Sequence, residues 1–225
     1  MAIDKRIDVA IDAMREIGDG ATVFVSGFGG AGFPNTLIAA LREHGPKDLT
    51  VVSNSATHRF SLTHELIEAG MVRKVICSAA RGHTKELTAF EKLYKEGRIE
   101  LECVPQGTMS ERIRAGGAGI AAFYTPVSVG TGLGEGKEVR TFNDREYVLE
   151  TAISGELALI RGDVADRYGN LTFDHSQGNF GPPMATAAST TVAEVRVAQS
   201  EPIAPERVQL SGVFVDFVVA VGTNT

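Results

Sequence analysis

The stretch that most constrains the fold of this chain is residues 22–41, where an apolar run meets a glycine-rich loop and then a helical pattern. The loop contains three closely spaced glycines, Gly27, Gly29 and Gly32. Glycine lets the backbone turn sharply and approach a ligand, and the first amides of a helix offer donors with a partial positive charge. We therefore predict a strand, an anion-binding loop and a helix that begins near Pro34, a place suited to a phosphate or a thioester.

The glycine spacing also matches the dinucleotide-binding motif Gly-x-Gly-x-x-Gly, which lies between a strand and a helix. A nicotinamide site further requires Asp or Glu at the end of the second strand, where it binds the ribose hydroxyls. In this chain the second apolar run, residues 49–53, is followed by Asn54 and Ser55. The sequence therefore disfavours a dinucleotide site, and a turn that only packs the helix against the strand remains the simpler alternative.

Short apolar runs alternate with amphipathic stretches over the first half of the chain. The predicted helices are residues 4–17, 34–44, 61–69, 84–96 and 109–114, and the predicted strands are residues 22–26, 49–53, 72–78 and 99–104. Such alternation is typical of right-handed crossovers between parallel strands. We therefore predict an α/β fold with an open, mostly parallel sheet and helices on both faces.

The second half of the chain predicts more strands. Two alternating runs indicate a hairpin over residues 139–149, and residues 156–160 read as a further strand. Residues 164–173 should lie beside the main sheet as a mixed or antiparallel extension. The small apolar residues of the segment 182–197 predict one more helix, and residues 208–221 a strand-rich tail.

The sequence contains no internal repeat and no linker. A chain of 225 residues is long enough to bury the core of one large α/β domain. We therefore expect a single domain over residues 1–225, with residues 123–180 as a hairpin-rich embellishment.

Ligands of open parallel sheets collect beyond the carboxyl ends of the strands. Loops rich in small and hydroxylated residues follow the predicted strands there, and three amide side chains stand at loop edges: Asn54, Gln106 and Asn179. Because an amide can hydrogen-bond a carboxylate or a thioester carbonyl, each is a candidate for substrate binding. A turn-stabilising role stays open for all three.

Composition excludes several classes of function. The chain has 22 Lys and Arg against 28 Asp and Glu, and it has no basic run for binding nucleic acid. No stretch approaches the ~20 apolar residues of a membrane span, and the first residues are charged, so we expect a cytoplasmic protein without membrane contact. No Cys or His cluster has the spacing of a metal site. Cys77 and Cys103 lie in strand-like runs and are expected to be reduced core thiols.

Five separated blocks of the sequence resemble family I coenzyme A (CoA) transferases, in the order of that family. The first includes Gly27-Phe-Gly-Gly-Ala-Gly-Phe-Pro34, with Ser26 standing where the family has Gly, and the second includes Pro105-Gln-Gly-Thr108. The others are residues 123–126, 135–138 and 165–171. The resemblance is to the A (alpha) subunit of two-subunit 3-oxoacid CoA-transferases, and it implies the sheet architecture that these proteins share with sugar-phosphate isomerases. Residues 90–102 and 179–182 look most like the version that acts on 3-oxoadipate, with succinyl-CoA as donor.

The resemblance also implies a mechanism. In that family a glutamate carboxylate attacks the acyl-CoA, passes through a mixed anhydride and a glutamyl-CoA thioester, and then hands CoA to the acceptor acid. This glutamate lies in a Ser-Glu-Asn-Gly motif of the B subunit, and the present chain has no such motif. We therefore expect no catalytic nucleophile in this chain, and solvated or structural roles for Glu135 and Glu156. The polypeptide alone should be inactive.

The resemblance leaves binding roles for this chain. Its CoA-linked segment is the loop Ser26, Gly27, Phe28, Gly29, Gly30, Ala31 and Gly32. CoA or acyl-CoA is expected as a substrate, without a tightly bound cofactor and without a metal. The expected partner is a CoA-transferase B subunit, in a heterodimer or an A2B2 heterotetramer. On composition, the glycine-rich residues 115–136 and the apolar tail are candidates for contact with it.

Three alternatives remain open. One is the same fold acting on acetoacetate or another acid, and another is a hydrolytic relative that releases CoA to water. The third, of a different class, is a non-catalytic module that shares the sheet and senses a sugar phosphate. The blocks around Gln106 and Gly116-Gly117 argue against that module, although the fold by itself does not decide.

Overall fold

The computed structural model describes residues 3–82 and 85–221. Its strands are β1 (Arg6–Ile7), β2 (Thr22–Val25), β3 (Leu49–Ser53), β4 (Val72–Cys77), β5 (Glu100–Cys103), β6 (Ala122–Thr125), β7 (Val139–Phe142), β8 (Arg145–Thr151), β9 (Gly155–Asp166), β10 (Leu171–Thr172), β11 (Ala188–Gln199) and β12 (Phe217–Ala220). The main sheet has the order β1-β12-β11-β9-β2-β3-β4-β5, with β10 beside β9, and a second sheet has the order β6-β8-β7. All pairs along the main path are parallel, and β10 is antiparallel to β9.

The helices cover both faces of the main sheet. They are α1 (Asn35–His44), α2 (Thr63–Glu68), α3 (Ala89–Lys95), α4 (Gln106–Gly117) and α5 (Gly181–Ala187). Leu37 of α1 shares one buried cluster with Val23 of β2, whereas Met109 of α4 shares the other with Phe24. Neighbouring residues of a strand point to opposite faces, so Val23 and Phe24 fill different cores. The predicted fold class is confirmed.

The glycine-rich loop lies where the winding of the main sheet reverses. From β2 the chain moves outwards through β3, β4 and β5, and it later returns to β9 on the other side of β2. Open α/β sheets bind ligands beyond the carboxyl ends of their strands at such a switch point. Ser26 begins the loop there, and its amide donates to Leu159 O of β9 at 3.0 Å.

The predicted hairpin is confirmed, and the predicted sheet extension over residues 164–173 is confirmed for β10 alone, because residues 164–166 are the end of β9 in the main sheet. β7 and β8 pair in antiparallel fashion around Asn143 and Asp144, which both have positive φ, and they join β6 in the second sheet. β10 pairs with β9 as the antiparallel addition to the main sheet. The second sheet lies within residues 122–151, and the organisation into one domain stays a prediction.

The predicted helix over residues 4–17 is wrong. Arg6 and Ile7 instead form β1, which pairs with Val218 and Val219 of β12, and only Ala10–Met14 forms a short 3-10 helix. The backbone of this segment bonds to the edge of the sheet, because the amide of Val218 donates to Lys5 O at 2.8 Å. Sheet pairing between distant residues overrides a local helical spacing that the sequence alone displays.

The predicted helix over residues 182–197 is also wrong beyond its first part. α5 ends at Ala187, and residues 188–199 form β11, which lies between β9 and β12. The segment contains several β-branched residues, Thr190, Thr191, Val192, Val195 and Val197. Strands buried on both faces read as continuous apolar runs, so the alternation that marks a half-buried strand is missing here.

The predicted helix over residues 84–96 is shorter than expected. α3 begins at Ala89, after Thr88, whose hydroxyl accepts from Glu91 N while the Glu91 carboxylate accepts from Thr88 N. This reciprocal capping fixes the start of the helix. Thr84, where the predicted helix began, lies outside the described residues. No helix in the described part of the chain combines the length and the apolar character that crossing a bilayer requires.

Candidate functional site

The glycine-rich loop is a tight turn held at both ends. Phe28 and Ala31 exchange backbone hydrogen bonds of 3.0 and 3.1 Å around Gly29 and Gly30. The hydroxyl of Ser26 donates to Gly32 O at 2.7 Å, which closes the loop from β2 to the start of α1. Phe28, at the turn, is 44% exposed. The loop therefore presents backbone groups and one aromatic ring beyond the carboxyl end of β2.

Two positions in this loop require glycine. Gly27 has a φ of +122°, and a Cβ there would overlap the ring of Phe33. Gly32 has a φ of +79°, and a Cβ there would lie 2.6 Å from Asn179 Nδ2 and overlap the carbonyl of Gln177. The second half of the chain therefore approaches the loop as closely as the backbone permits.

Asn179 connects that later segment to the loop. Its Oδ1 accepts from Gly27 N at 3.1 Å and from Phe180 N at 2.7 Å, and its Nδ2 donates to Ala31 O at 3.1 Å. Asn179 itself has a positive φ of 20°. Because protein atoms engage both ends of its amide, the geometry favours the turn-stabilising role that the sequence left open for Asn179.

The start of α1 is not a free anion site, which corrects the expectation from the sequence. The amides of Thr36 and Leu37 donate to Glu194 Oε2 at 2.8 and 3.2 Å, and the other oxygen of that carboxylate pairs with the guanidinium of Arg161. A carboxylate at a helix N-terminus compensates the helix dipole and the unpaired amides. The carboxylate of Glu194 therefore occupies the position at the start of α1 where a ligand phosphate would bind.

Glu194 is buried on β11, level with the loop that follows the carboxyl end of β2, with 3% of its side chain exposed. Burial raises the pKa of its carboxyl group, and the charge of Arg161 and the amides of Leu37 and Thr36 oppose that rise. Sequence reasoning missed both Glu194 and Arg161. The only signal was a charged residue within each of two apolar runs, and their contact depends on the register of β9 against β11, which pairs the two residues directly.

Asn54 and Gln106 are brought together, as their places after parallel strands predict. Gln106 Nε2 donates to Asn54 Oδ1 at 2.7 Å, and Ser78 Oγ donates to the same atom at 2.9 Å. Asn54 Nδ2 in turn donates to Ser55 Oγ at 3.0 Å. Asn54 is buried and Gln106 is exposed, so Asn54 holds the cluster in the protein while Gln106 is accessible to a ligand.

Gln106 is also the first residue of α4, whose N-terminus differs from that of α1. Pro105 occupies the cap position, and no side chain of the described residues caps the first turn. The first amides of a helix carry a partial positive charge. Donors of the helix backbone and of the Gln106 amide therefore occur together at one exposed point.

Two spaces adjoin the glycine loop. A small cavity of about 10 Å³ separates Ser26 and Gly27 from Asn54 and Ser55, which leaves room for roughly one water molecule. An open groove of about 780 Å³ also adjoins the loop, and residues 30–33, Asn35 and Thr36 line it together with Arg161 and Glu194. Its volume lies in the range of small-molecule sites, about 300 to 1,000 Å³.

Aromatic side chains border the loop next to the small cavity. The ring of His58 stacks on Phe33 with a centroid distance of 4.8 Å, and Phe60 lies 5.6 Å from His58. Phe60 is 46% exposed, and the guanidinium of Arg59 lies 4.4 Å from its ring centroid. Sequence reasoning did not predict this cluster: Phe33 was noted only as part of the first family-like block, and the spacing of His58 and His64 fits no metal site.

The carboxylates weighed as nucleophiles do not lie in the site. Glu135 is exposed in the segment between β6 and β7. Glu156 Oε2 accepts from Thr22 N at 2.7 Å near the amino end of β2, away from the loop that follows its carboxyl end. Glu194 is close to the loop, but both of its oxygens are engaged. Over residues 3–82 and 85–221, no three His, Cys, Asp or Glu side chains cluster as a metal site requires.

The two cysteines differ, and the expectation of two core thiols is wrong for one of them. Cys77 is buried on β4, whereas Cys103, its register partner on the edge strand β5, is exposed. Burial raises the pKa of the Cys77 thiol to about 12, with a smaller contribution from the neighbouring Cys103. The sequence did not show that β5 ends the sheet, so the exposure of Cys103 was not visible in it.

The parallel sheet, the switch-point loop and the amide cluster define an α/β protein of the class whose ligands lie beyond the carboxyl ends of the strands. The chain belongs to the coenzyme A transferase family, since the family model described as Coenzyme A transferase matches residues 7–221. The resemblance inferred from the five sequence blocks is thereby confirmed.

Similar proteins cover nearly the whole chain. It is 45% identical over 220 residues to the A subunit of the 3-oxoadipate CoA-transferase of Pseudomonas putida, and the match covers 97% of this chain and 94% of that protein. It is 41% identical over 229 residues to the human mitochondrial succinyl-CoA:3-ketoacid coenzyme A transferase 2, where the match covers 93% of this chain and 43% of the human protein. A solved acyl-CoA transferase from Escherichia coli O157:H7 has the same fold, with a TM-score of 0.82 at 22% identity over 97% of this chain and 47% of that one. The chain thus spans about half the length of these last two proteins.

Proposed function

We propose that this chain is the A (alpha) component of a two-subunit CoA-transferase that moves CoA from succinyl-CoA to a 3-oxo acid, with 3-oxoadipate favoured as acceptor. The observation that carries the proposal is that the described part of the site has hydrogen-bond donors but no free carboxylate. Gln106 offers an exposed amide donor, whereas the carboxylate beside the glycine loop, Glu194, has both oxygens engaged. The 45% identity to the corresponding component of a 3-oxoadipate CoA-transferase supports the same assignment.

In this proposal the missing carboxylate comes from the B subunit. Its glutamate attacks the thioester carbonyl and expels CoA as thiolate, which leaves a mixed anhydride. The thiolate then attacks the glutamyl carbonyl, releases the donor acid and forms the glutamyl-CoA thioester. The acceptor carboxylate then attacks the glutamyl-CoA thioester and expels CoA as thiolate, which leaves a second mixed anhydride. The thiolate attacks the acyl carbonyl of the acceptor, which forms the acceptor CoA thioester and frees the glutamate.

The roles of this chain are binding and charge stabilisation. The loop of Ser26 to Gly32 lies against the acyl-CoA, and Gln106, held by Asn54, donates to the carbonyl oxygen on which negative charge develops. Backbone amides at the start of α4 add to the same donor set. Asn179 keeps the loop in place.

The assembly is proposed as a heterodimer or an A2B2 heterotetramer with the B subunit. The match of this chain to 43% of the human protein supports a partner, because it leaves most of the length of that relative unmatched. The segment between α4 and β7 exposes Ile120, Val127 and Leu133, in keeping with the contact region proposed from composition. A cytoplasmic location and the lack of a tightly bound cofactor stay predictions.

A sugar-phosphate sensor is the less supported reading. The helix that follows the glycine loop offers such a module no free N-terminus for the phosphate, because the donors at the start of α1 already bind Glu194. Binding of sugar phosphates by the isolated chain, with no response to CoA or to a B subunit, would favour it.

The test is reconstitution of the two-subunit enzyme. A B subunit carrying the Ser-Glu-Asn-Gly motif is purified separately, and each polypeptide and their mixture are assayed with succinyl-CoA and a panel of 3-oxoadipate, acetoacetate and other 3-oxo acids. We expect transfer only in the mixture, fastest with 3-oxoadipate. Activity of the present chain in isolation would contradict the proposal, and release of free thiol without acyl transfer would assign a hydrolase instead.

A further inference from the structure

Two residues outside the glycine loop, Arg161 through its backbone amide and its guanidinium and Glu194 through its carboxylate, link the beginning of the loop to the helix that follows it. The backbone amide of Arg161 donates to Ser26 Oγ at 3.2 Å, and that hydroxyl donates to Gly32 O. The guanidinium of Arg161 pairs with Glu194, which accepts from the amide of Thr36 at 2.8 Å. A continuous series of polar contacts therefore runs from the first residue of the loop to the first turn of α1.

We propose that Arg161 and Glu194 are positioning residues for CoA transfer, which act by holding the glycine loop and the start of α1 in one arrangement. The inference rests on the proposed function, because it takes this loop to be the segment that contacts acyl-CoA. Neither residue is assigned to the reacting atoms. Their effect on the reaction passes through Ser26 and through the α1 amides.

The sheet topology explains why this pair acts on the loop. β9 and β11 continue beyond the level at which β2 ends, since Val25 is paired with Leu159 and the next residues of β9 have no partner in β2. Arg161 and Glu194 therefore lie side by side just past the end of β2, where the loop begins. Neither α1 nor the loop can shift without breaking contacts to this pair.

Burial makes the arrangement rigid. The side chain of Glu194 is 3% exposed and that of Arg161 is 20% exposed. A buried charge needs its partner, because removing one side chain leaves the other uncompensated and it must move or attract water. Since Glu194 also binds the first amides of α1, loss of its charge acts directly on the start of α1, which follows the loop, and on Arg161, whose backbone amide bonds to Ser26.

The same two strands supply a matched control. Asp163 and Arg196 form an ion pair of 2.7 Å two residues further along β9 and β11, on the same face as Arg161 and Glu194. This control pair has the opposite order of charges and is more exposed, and it makes no hydrogen bond to the glycine loop within the described residues. A substitution in the control pair therefore shows the effect of losing an ion pair between β9 and β11 without any loss of contact with the loop.

The experiment compares Glu194→Gln with Arg196→Gln in the complex of this chain with its B subunit. Glu194→Gln keeps the shape of the side chain and removes its charge. We expect kcat/KM for succinyl-CoA to fall about 100-fold, mainly through KM, because a displacement of about 1 Å in a positioning segment has that effect. Hydrogen exchange of residues 26–37 should become faster at the same time. Arg196→Gln should stay within about twofold of the unmodified complex in kcat/KM, as expected for a substitution at a more exposed site.

A second variant keeps the inference testable if Glu194→Gln does not fold. Arg161→Lys retains a positive charge but removes the guanidinium, and it should give a smaller change of the same kind in both measurements. Unchanged exchange and unchanged KM in a folded Glu194→Gln or Arg161→Lys complex would overturn the inference. So would equal losses in Glu194→Gln and Arg196→Gln. If the unmodified complex transfers no CoA, the proposed function itself fails, which is a different outcome.

Discussion

The side-chain amide of Gln106 donates to Asn54 Oδ1 at 2.7 Å, and this bond joins the first residue of α4 to the loop that follows β3. An amide nitrogen carries two hydrogens, so one remains for a ligand. Asn54 is itself fixed by Ser78, whose hydroxyl donates to Asn54 Oδ1 and whose backbone amide donates to the carbonyl oxygen of Asn54. The orientation of the Gln106 amide is therefore fixed by the loops that follow β3 and β4.

Replacing Gln106 by Ala should remove that donor with little effect on folding. Loss of one donor to a developing oxyanion lowers kcat by about 100-fold or more. Because Gln106 is exposed, the free energy of unfolding should change by no more than about 0.5 kcal/mol. Steady-state kinetics of the two-subunit complex and urea unfolding check the two parts. Gln199→Ala, which removes a side-chain amide at the end of β11 that donates to Glu201 O, is the control. Unchanged kinetics for both substrates would remove Gln106 from the site.

Replacing Gly32 by Ala should destabilise the chain through the contact with Asn179. The φ of +79° costs an L residue about 1–2 kcal/mol, and the new Cβ would also meet Asn179 Nδ2 at 2.6 Å. Gly29→Ala, at a φ of +65° with open space around the Cβ, should show the backbone cost alone. Thermal and urea unfolding of the two variants measure the difference. Equal free energies of unfolding for Gly32→Ala and Gly29→Ala would mean that Asn179 does not pack closely against Gly32.

The sequence was sufficient where local pattern and sheet geometry agree. The carboxyl ends of parallel strands meet at one edge, so the contact between Asn54 and Gln106 could be predicted from their places after two strands. The glycine loop was recognisable for the same reason, because its spacing is local. The residues of Arg6–Ile7 show the limit, since their pairing with β12 depends on a segment about 210 residues away.

Glu194 could not have been predicted to lie at the start of α1. Its contact with Thr36 requires three facts that the sequence does not display: that residues 188–199 form a strand, that β9 and β11 are neighbours, and that their register opposes Arg161 to Glu194. A long apolar strand buried on both faces looks like a helix segment to any test of periodicity. The occupied helix N-terminus is therefore a property of the tertiary structure, although the glycine loop beside it is a property of the sequence.

The two cysteines should react with thiol reagents at very different rates. The pKa of Cys77 is raised to about 12 by burial, so almost no thiolate forms near pH 8, and its side chain is out of reach. Cys103 is exposed on β5. Mass spectrometry after treatment of the isolated native chain with iodoacetamide should show labelling at Cys103 alone, with Cys77 labelled only after denaturant is added. Rapid native labelling of a Cys103→Ser variant would contradict the burial of Cys77.

Glu102 of β5 should give the chain a measurable pH dependence of stability. Burial raises the pKa of its carboxyl group, but hydrogen bonds from Lys74 and Arg112 and their charges outweigh this, and the pKa falls below its ordinary value of 4.5. A carboxyl group with a lowered pKa in the folded state contributes stability above its unfolded pKa and loses it as pH falls through the folded pKa. The contribution of Glu102 should therefore be complete at pH 7 and decline below about pH 4.5.

The substitution Glu102→Gln isolates this effect. At pH 7 it should lower the free energy of unfolding by about 1 kcal/mol, the value of a charge-assisted hydrogen bond reduced for a partly exposed site. Glu100→Gln is the matched control, because Glu100 lies on the same strand and pairs with Arg73 at 3.0 Å where both side chains are well exposed. Urea unfolding from pH 7 down to pH 3 should show the gap between Glu102→Gln and the unmodified chain narrowing with acidification, while Glu100→Gln stays close to the unmodified chain throughout. A gap that is the same at every pH would show that Glu102 acts through packing, because only a titrating carboxylate loses its contribution as protons bind.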